Sequence, residues 1–160
     1  MTTTTDVRRE VTVAGPPERA FDLFTNHMAE WWPAGHHLAE SPVVAMTVEP
    51  AVGGRIYDSC ADGSESAWGR VTEWNPPSSF SFAWMITGTW QLETDVERAS
   101  RVSVTFTAEG DRTRVTLVHK DFWRMAEGGH GMADAVGSPD GWGSGLTAFV
   151  DFADKSRRDR

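Results

Sequence analysis

Alternation with a period of two residues constrains this chain more than any other feature. Phe80, Phe82, Trp84 and Ile86 place four large apolar groups on one face of a single extended segment, because successive side chains of a strand point to opposite sides. The same rhythm returns in Val102, Val104 and Phe106, and again in Val115, Leu117 and His119. Glu109-Gly110-Asp111 separates those two runs, which predicts an antiparallel hairpin with matched inner faces. Val7 to Val13, Val43 to Val48, Arg55 to Ser59 and Ala67 to Trp74 read as further strands. Pro16-Pro17, Gly53-Gly54, Asp62-Gly63 and Asn75-Pro76-Pro77 punctuate them. Trp90 to Glu97 reads as one more extended piece.

A sheet with one apolar face has to cover it, and residues at helical spacing supply the cover. Ala20, Phe21, Leu23 and Phe24 give a short amphipathic helix beginning near Pro17, and a second short helix carries Met28, Trp31 and Trp32. Near the C-terminus, Trp142, Leu146, Phe149, Val150 and Ala153 share one helical face. Ser138 offers that helix an N-cap, with Pro139 at its first position. Gly143 and Gly145 each cost about 1 kcal/mol against alanine inside a helix, so either the sheet approaches closely there or room is kept for a ligand. Residues 121–141 show no period and hold glycines at 128, 129, 131, 137 and 141. That predicts a mobile segment and a candidate lid, with Trp123 and Met132 beside an entrance.

At 160 residues the chain has the size of one domain, expected over 6–155 with flexible tails at 1–5 and 156–160. Apolar residues make up 39% of it, and no run approaches the roughly 18 apolar residues of a membrane-spanning helix. The N-terminus has neither the basic start nor the apolar stretch of a secretory signal, so a cytoplasmic location is expected. Cys60, the single cysteine, permits no internal disulfide. Its acidic neighbours Asp58, Asp62 and Glu65 make it an inert thiol. The net charge of −8 argues against nucleic acid, which draws on clustered Lys and Arg. Residues 155–160 carry +3, leaving −11 on the rest. Eight tryptophans suit either a core or the wall of a pocket.

Several short stretches carry a resemblance. They are Pro17-Glu18-Arg19-Ala20-Phe21, Trp31-Trp32, Pro50-Ala51-Val52-Gly53-Gly54-Arg55, Gly69-Arg70-Val71 with Pro76-Pro77, Phe82-Ala83-Trp84, Thr113 to His119, and Gly141-Trp142. In number, order and spacing they make the chain, from about residue 8 to 154, similar to the helix-grip superfamily called SRPBCC. That superfamily includes START domains and the birch-pollen allergen. Within it, the chain resembles the branch named after the activator of the ninety-kilodalton heat-shock protein's ATPase. The resemblance implies an α+β fold in which a curved antiparallel sheet of about seven strands wraps a long C-terminal helix, with a cavity between them. It implies no single activity.

The cavity's lining is then expected from alternation and helical spacing. Met46, Ile56, Val71, Phe82, Trp84, Phe106 and Leu117 come from strands, and Trp32, Trp142, Leu146 and Phe149 from helices. Asp58, Glu73 and His119 are the polar groups expected to face inward. His119 and Asp58 are the candidates for proton transfer, though a buried histidine more often serves as a hydrogen-bonded structural residue. His36 and His37 are adjacent and point apart, and one cysteine leaves little for a metal site, so neither metal nor cofactor is expected. Gly141-Trp142-Gly143-Ser144-Gly145 mimics a hydrolase nucleophile motif but lacks the preceding strand. Three functions fit: a binding module for a small apolar or aromatic ligand; a cyclase- or hydrolase-type enzyme on the same cavity; and a co-chaperone-like interaction protein. The last is disfavoured because the resemblance implies an extra N-terminal domain that this chain lacks. The sequence is compatible with a homodimer.

Overall fold

The computed structural model describes residues 6–33, 36–38 and 40–158, with side chains through Lys155. Seven strands pair antiparallel in one sheet: β1 (Val7–Ala14), β2 (Val43–Val48), β3 (Arg55–Cys60), β4 (Glu65–Asn75), β5 (Ser79–Trp84), β6 (Ser100–Glu109) and β7 (Arg112–Lys120). Their order is β1-β7-β6-β5-β4-β3-β2. Four helices accompany them: α1 (Pro17–Asn26), α2 (Met28–Trp31), α3 (Gly129–Gly137) and α4 (Trp142–Arg158). This is the expected helix-grip arrangement, with α4 against the concave face. Val102 pairs with His119 and Phe106 with Val115, so the β6–β7 hairpin has the register that its alternation predicts.

Three bulges bend the strands on one side of the sheet. Val44 on β2, Trp68 on β4 and Thr72 on β4 each stand as an extra residue between paired neighbours. A bulge tightens the local twist and shifts which face the following residues occupy. The bulge at Thr72 corrects one expectation. Counting by twos from Val71 puts Glu73 inside, but the extra residue moves Glu73 to the exposed face and gives the inner position to Trp74, opposite Phe80. The bulge at Trp68 turns its indole inward, next to Gly69, where a Cβ would lie 2.9 Å from Ile56 Cβ.

The end of the concavity beneath α1 is filled. Phe21 meets Phe80 and Phe106 at centroid distances of 5.7 and 5.2 Å, and Phe24 meets Trp31 and Phe149 at 4.8 and 5.2 Å. Arg19 links three elements: Nη1 donates to Ala14 O on β1 at 2.9 Å, and Nη2 to Ala153 O on α4 at 2.7 Å.

The segment 121–141 differs from its expectation. It contains a 3-10 turn, Phe122–Arg124, and then α3, whose Met132, Ala133 and Val136 are buried. Intrinsic propensity is poor in so glycine-rich a stretch, and burial of one apolar face overrides it. Met132 therefore sits in the core rather than at an entrance, and Trp123 is 68% exposed. Ser138 caps the C-terminus of α3, its Oγ donating to Ala135 O at 2.7 Å, instead of starting the last helix. Helix α4 begins at Trp142 and its backbone runs to Arg158, so part of the expected C-terminal tail is helical. Residues 1–5 and 159–160 lie outside the described residues. Trp90 to Glu97 forms no strand; Leu92 makes an isolated bridge to Ile86, and Val96–Arg98 is a 3-10 turn. Among the described residues no helix is long and apolar enough to cross a membrane.

Gly141 sets the spacing of α3 and α4. A Cβ there would collide with the carbonyl oxygen of Val136, a backbone atom that a rotamer change cannot move. Gly141→Ala should lower stability by about 1–3 kcal/mol, as overpacked interiors do. Urea unfolding checks this, with an unchanged m-value and a lower midpoint as the expected result.

Candidate ligand cavity

The other end of the concavity is hollow. A cavity of about 250 Å³ lies between the bulged strands, the start of α4 and the chain after α2. Its wall includes Trp32, Trp68, Trp84 and Trp142, which come from the residue that follows α2 and from β4, β5 and α4. These rings touch in a closed cycle. Trp32 to Trp68 is 5.0 Å between centroids, Trp68 to Trp84 5.7 Å, Trp84 to Trp142 5.5 Å, and Trp142 to Trp32 5.7 Å. Tilted and edge-on arrangements of this kind are the favourable ones for aromatic pairs. Ile86 and Val136 add apolar surface, and Trp90, His36 and Asp140, all exposed, belong to the outer part.

Each indole carries one donor, and burial requires an acceptor for it. Trp32 Nε1 donates to His36 O at 2.8 Å, and Trp68 Nε1 to Asp58 Oδ1 at 3.0 Å. Trp142 Nε1 donates to His119 Nδ1 at 3.1 Å. Trp84 Nε1 is buried with no partner among the described residues.

Asp58 is 1% exposed and stands at the cavity wall on β3. Its second oxygen, Oδ2, lies 2.9 Å from His37 Nδ1. A carboxylate can only accept, so Nδ1 carries the proton. In the neutral imidazole Nε2 is then the basic nitrogen, and His37 also lines the cavity. The pair therefore has the form of a histidine oriented by a carboxylate, the arrangement used for general acid–base work.

His119 is used differently. Trp142 Nε1–H can only donate, so Nδ1 of His119 accepts and Nε2–H donates to Ser100 Oγ at 2.7 Å. The ring stacks on Phe122 at 4.5 Å, and its residue is fully buried. Burial pushes its pKa down to about 3. Both nitrogens are engaged with protein groups, and His119 is not part of the cavity wall.

Of the residues expected at the site, the structure brings Trp32, Asp58, Trp84 and Trp142 to the cavity. Met46, Ile56, Val71 and Phe82 pack in the core instead, as do Phe106, Leu117, Leu146 and Phe149, while Glu73 is exposed. Sequence reasoning missed His37, Trp68 and Trp90. The inward turn of Trp68 depends on a bulge, and His37 sits on an irregular stretch where period carries no information. Gly145 is the second outcome of the glycine argument: it lines the cavity, is buried, and a Cβ added to it would meet no atom within 4 Å.

The family model for activator of Hsp90 ATPase homolog 1-like proteins matches residues 14–153. The chain belongs to that family. A search of curated proteins finds no match. Among solved structures, this family member is similar to an anthrahydroquino-gamma-pyrone synthase solved as a complex, with 38% identity over 94% of this chain and 99% of that one, at a TM-score of 0.65. It is also similar to the self-sacrificing resistance protein CalC from Micromonospora echinospora, with 28% identity over 94% and 95% and a TM-score of 0.67. The Aha1 dimer from Colwellia psychrerythraea shares the fold at 16% identity, 94% and 96% coverage and a TM-score of 0.61.

The buried, neutral His119 gives stability a pH dependence with a definite sign. Its folded pKa of about 3 lies below the ordinary value of 6.5, so the unfolded chain binds the extra proton. Its contribution is present above pH 6.5 and is lost as pH falls toward 3. Between about pH 7 and pH 5 the loss should be about 2 kcal/mol. Urea unfolding of the wild type and His119→Gln at both pH values checks it: the stability difference between them should shrink at the lower pH. Imidazole nitrogen shifts should still report a neutral His119 protonated at Nε2 there.

Proposed function

We propose that this chain binds a planar aromatic molecule of two or three fused rings in the tryptophan-walled cavity. The observation that carries the reading is the combination of four indoles in a closed cycle of contacts with open volume beside Gly145. Ligand sites are concave, mostly apolar and furnished with a few placed polar groups, and flat π-faces match flat ligands. The 38% identical synthase, named for a product with an anthrahydroquinone nucleus, supports the same ligand shape.

A second reading adds chemistry to binding, and the His37–Asp58 pair favours it. His37 Nε2 would take a proton from an acidic hydroxyl or from a carbon next to a carbonyl, while Asp58 holds Nδ1–H and stabilises the imidazolium that forms. The proton then returns from Nε2 to another atom of the same ligand, so an intramolecular ring closure needs no further reactant. General base catalysis of this kind contributes about 10²–10⁴ in rate.

Alizarin, a planar three-ring compound, tests the binding reading by calorimetry. Saturable binding to the wild type is expected. Gly145→Leu should weaken it tenfold or more by filling the cavity, while stability stays at or above the wild-type level because glycine is the poorer helix former. No binding to the wild type would sink the proposal. For the second reading, 2-acetyl-1-naphthol in D₂O is the probe: the wild type should accelerate exchange of its acetyl protons. His37→Gln should remove at least tenfold of that acceleration and leave the affinity within about threefold.

A further inference from the structure

We infer that Trp90 determines specificity at the mouth of the cavity: its ring covers the outermost ring of a bound ligand, so that three fused rings are preferred to two. The inference rests on the reading of the cavity as an aromatic ligand site. Trp90 borders that cavity and, together with Leu38, a second and more open concavity of about 410 Å³ beside it. It therefore stands where the cavity opens outward. Trp68, Trp84 and Trp142 are buried, whereas Trp90 is 49% exposed.

The backbone beneath the ring singles this residue out. Thr87 N donates to Gln91 O at 2.7 Å and Trp90 N to Thr87 O at 2.9 Å, which closes a hairpin loop over residues 88–90. The last residue of a loop of this length takes the left-handed conformation, a place that ordinarily goes to glycine. Trp90 takes it, with φ at +62°. Among the described residues the other non-glycine with a positive φ is Asp121, of a type that tolerates it. A bulky side chain there is strained, and such strain persists where the surroundings impose it and clusters at ligand clamps and active sites. Trp90 thus carries two costs, a strained backbone and a large apolar ring left half in water. Glycine at this position would remove both, and a ring held over the mouth of a ligand site gives a reason for both.

The hairpin is also firmly seated. A Cβ on Gly88 would lie 2.7 Å from Glu127 O and from Gly128 Cα, so its backbone rests directly on the chain that enters α3. Gly128 returns the contact, since a Cβ there would lie 2.8 Å from Gly88 Cα. Within the loop, Thr87 Oγ1 accepts from Gln91 N at 3.1 Å and from Thr89 N at 3.3 Å. Helix α3 itself lends Ala135 and Val136 to the cavity. The mouth hairpin and that wall are therefore joined backbone to backbone, and the loop presents Trp90 from a set position, which lowers the ordering cost of contact with a ligand. The buried indoles enclose the inner rings of a ligand, and the aromatic contact with Trp90 goes only to one long enough to reach the mouth.

Alizarin has three fused rings and 2-naphthol two. Calorimetry of both against the wild type and Trp90→Gly measures the four affinities, and glycine suits the left-handed backbone, so the variant keeps the hairpin. The expected result is that Trp90→Gly weakens alizarin about tenfold and leaves 2-naphthol within about twofold. In wild-type protein, whatever the variant's folding, alizarin should lower hydroxyl-radical oxidation of Trp90 relative to that of Trp123, which is exposed and no part of the cavity wall. An alizarin affinity unchanged in the variant, equal weakening of both probes, or bound alizarin that leaves the oxidation of Trp90 relative to Trp123 unchanged would each overturn the inference while leaving the aromatic cavity intact. If alizarin does not bind the wild type, the cavity reading itself fails, and the role of Trp90 falls with it.

Discussion

The hydrogen bond from Trp142 Nε1 to His119 Nδ1 joins the first residue of α4 to the end of β7. Everything at the hollow end of the fold depends on it. The second nitrogen of His119 is held by Ser100 on β6, so the helix start is referred to two strands through one ring. The chain Trp142–His119–Ser100 is satisfied at each member only with a neutral imidazole in one tautomer. Burial enforces that state, because an imidazolium there would lose its acceptor role toward Trp142 and meet no compensating charge. The collision that any side chain at Gly141 would have with the Val136 carbonyl fixes α3 relative to the same helix start.

With α4 so placed, the two ends of the concave face differ in chemistry. Phenylalanines fill the end beneath α1, where Phe21, Phe24, Phe80, Phe106 and Phe149 interlock and need no polar partner. Tryptophans wall the other end, and each brings a donor into the interior. That is the physical reason for polar groups in this core: Asp58 and His119 are acceptors for indoles before they are anything else. Asp58 has a further oxygen, which reaches His37, and His119 has no nitrogen to spare. The same kind of need thus leaves one polar residue chemically available at the cavity and closes off the other.

Much of the fold is legible in the sequence because period two and period 3.6 are local properties. The β6–β7 pair, the α1 face and the inner face of α4 follow from residue order alone. The bulges do not, since an extra residue is defined by the partner strand. Counting by twos therefore misses the shift that sends Glu73 out and Trp68 in. Helix α3 is hidden for a different reason: five of its nine residues are Gly or Ala, and its stability comes from burying Met132 and Val136. His37 cannot be found by alternation on an irregular stretch. His36, beside it, is exposed yet lines the same cavity, and adjacency says nothing of Asp58, 21 residues away.

The glycines of α4 and its approach sharpen the distinction between a packed core and a site. Gly141 is demanded by a backbone carbonyl, so its flexibility is compensated by close packing. Gly145 faces no such neighbour, yet it is buried and borders the cavity. Leaving it as glycine costs the helix about 1 kcal/mol relative to alanine, and within the protein nothing returns that energy. The unclaimed volume at Gly145 is therefore a packing deficit of the ligand-free fold. It borders the 250 Å³ cavity, and an aromatic ligand seated there would relieve it.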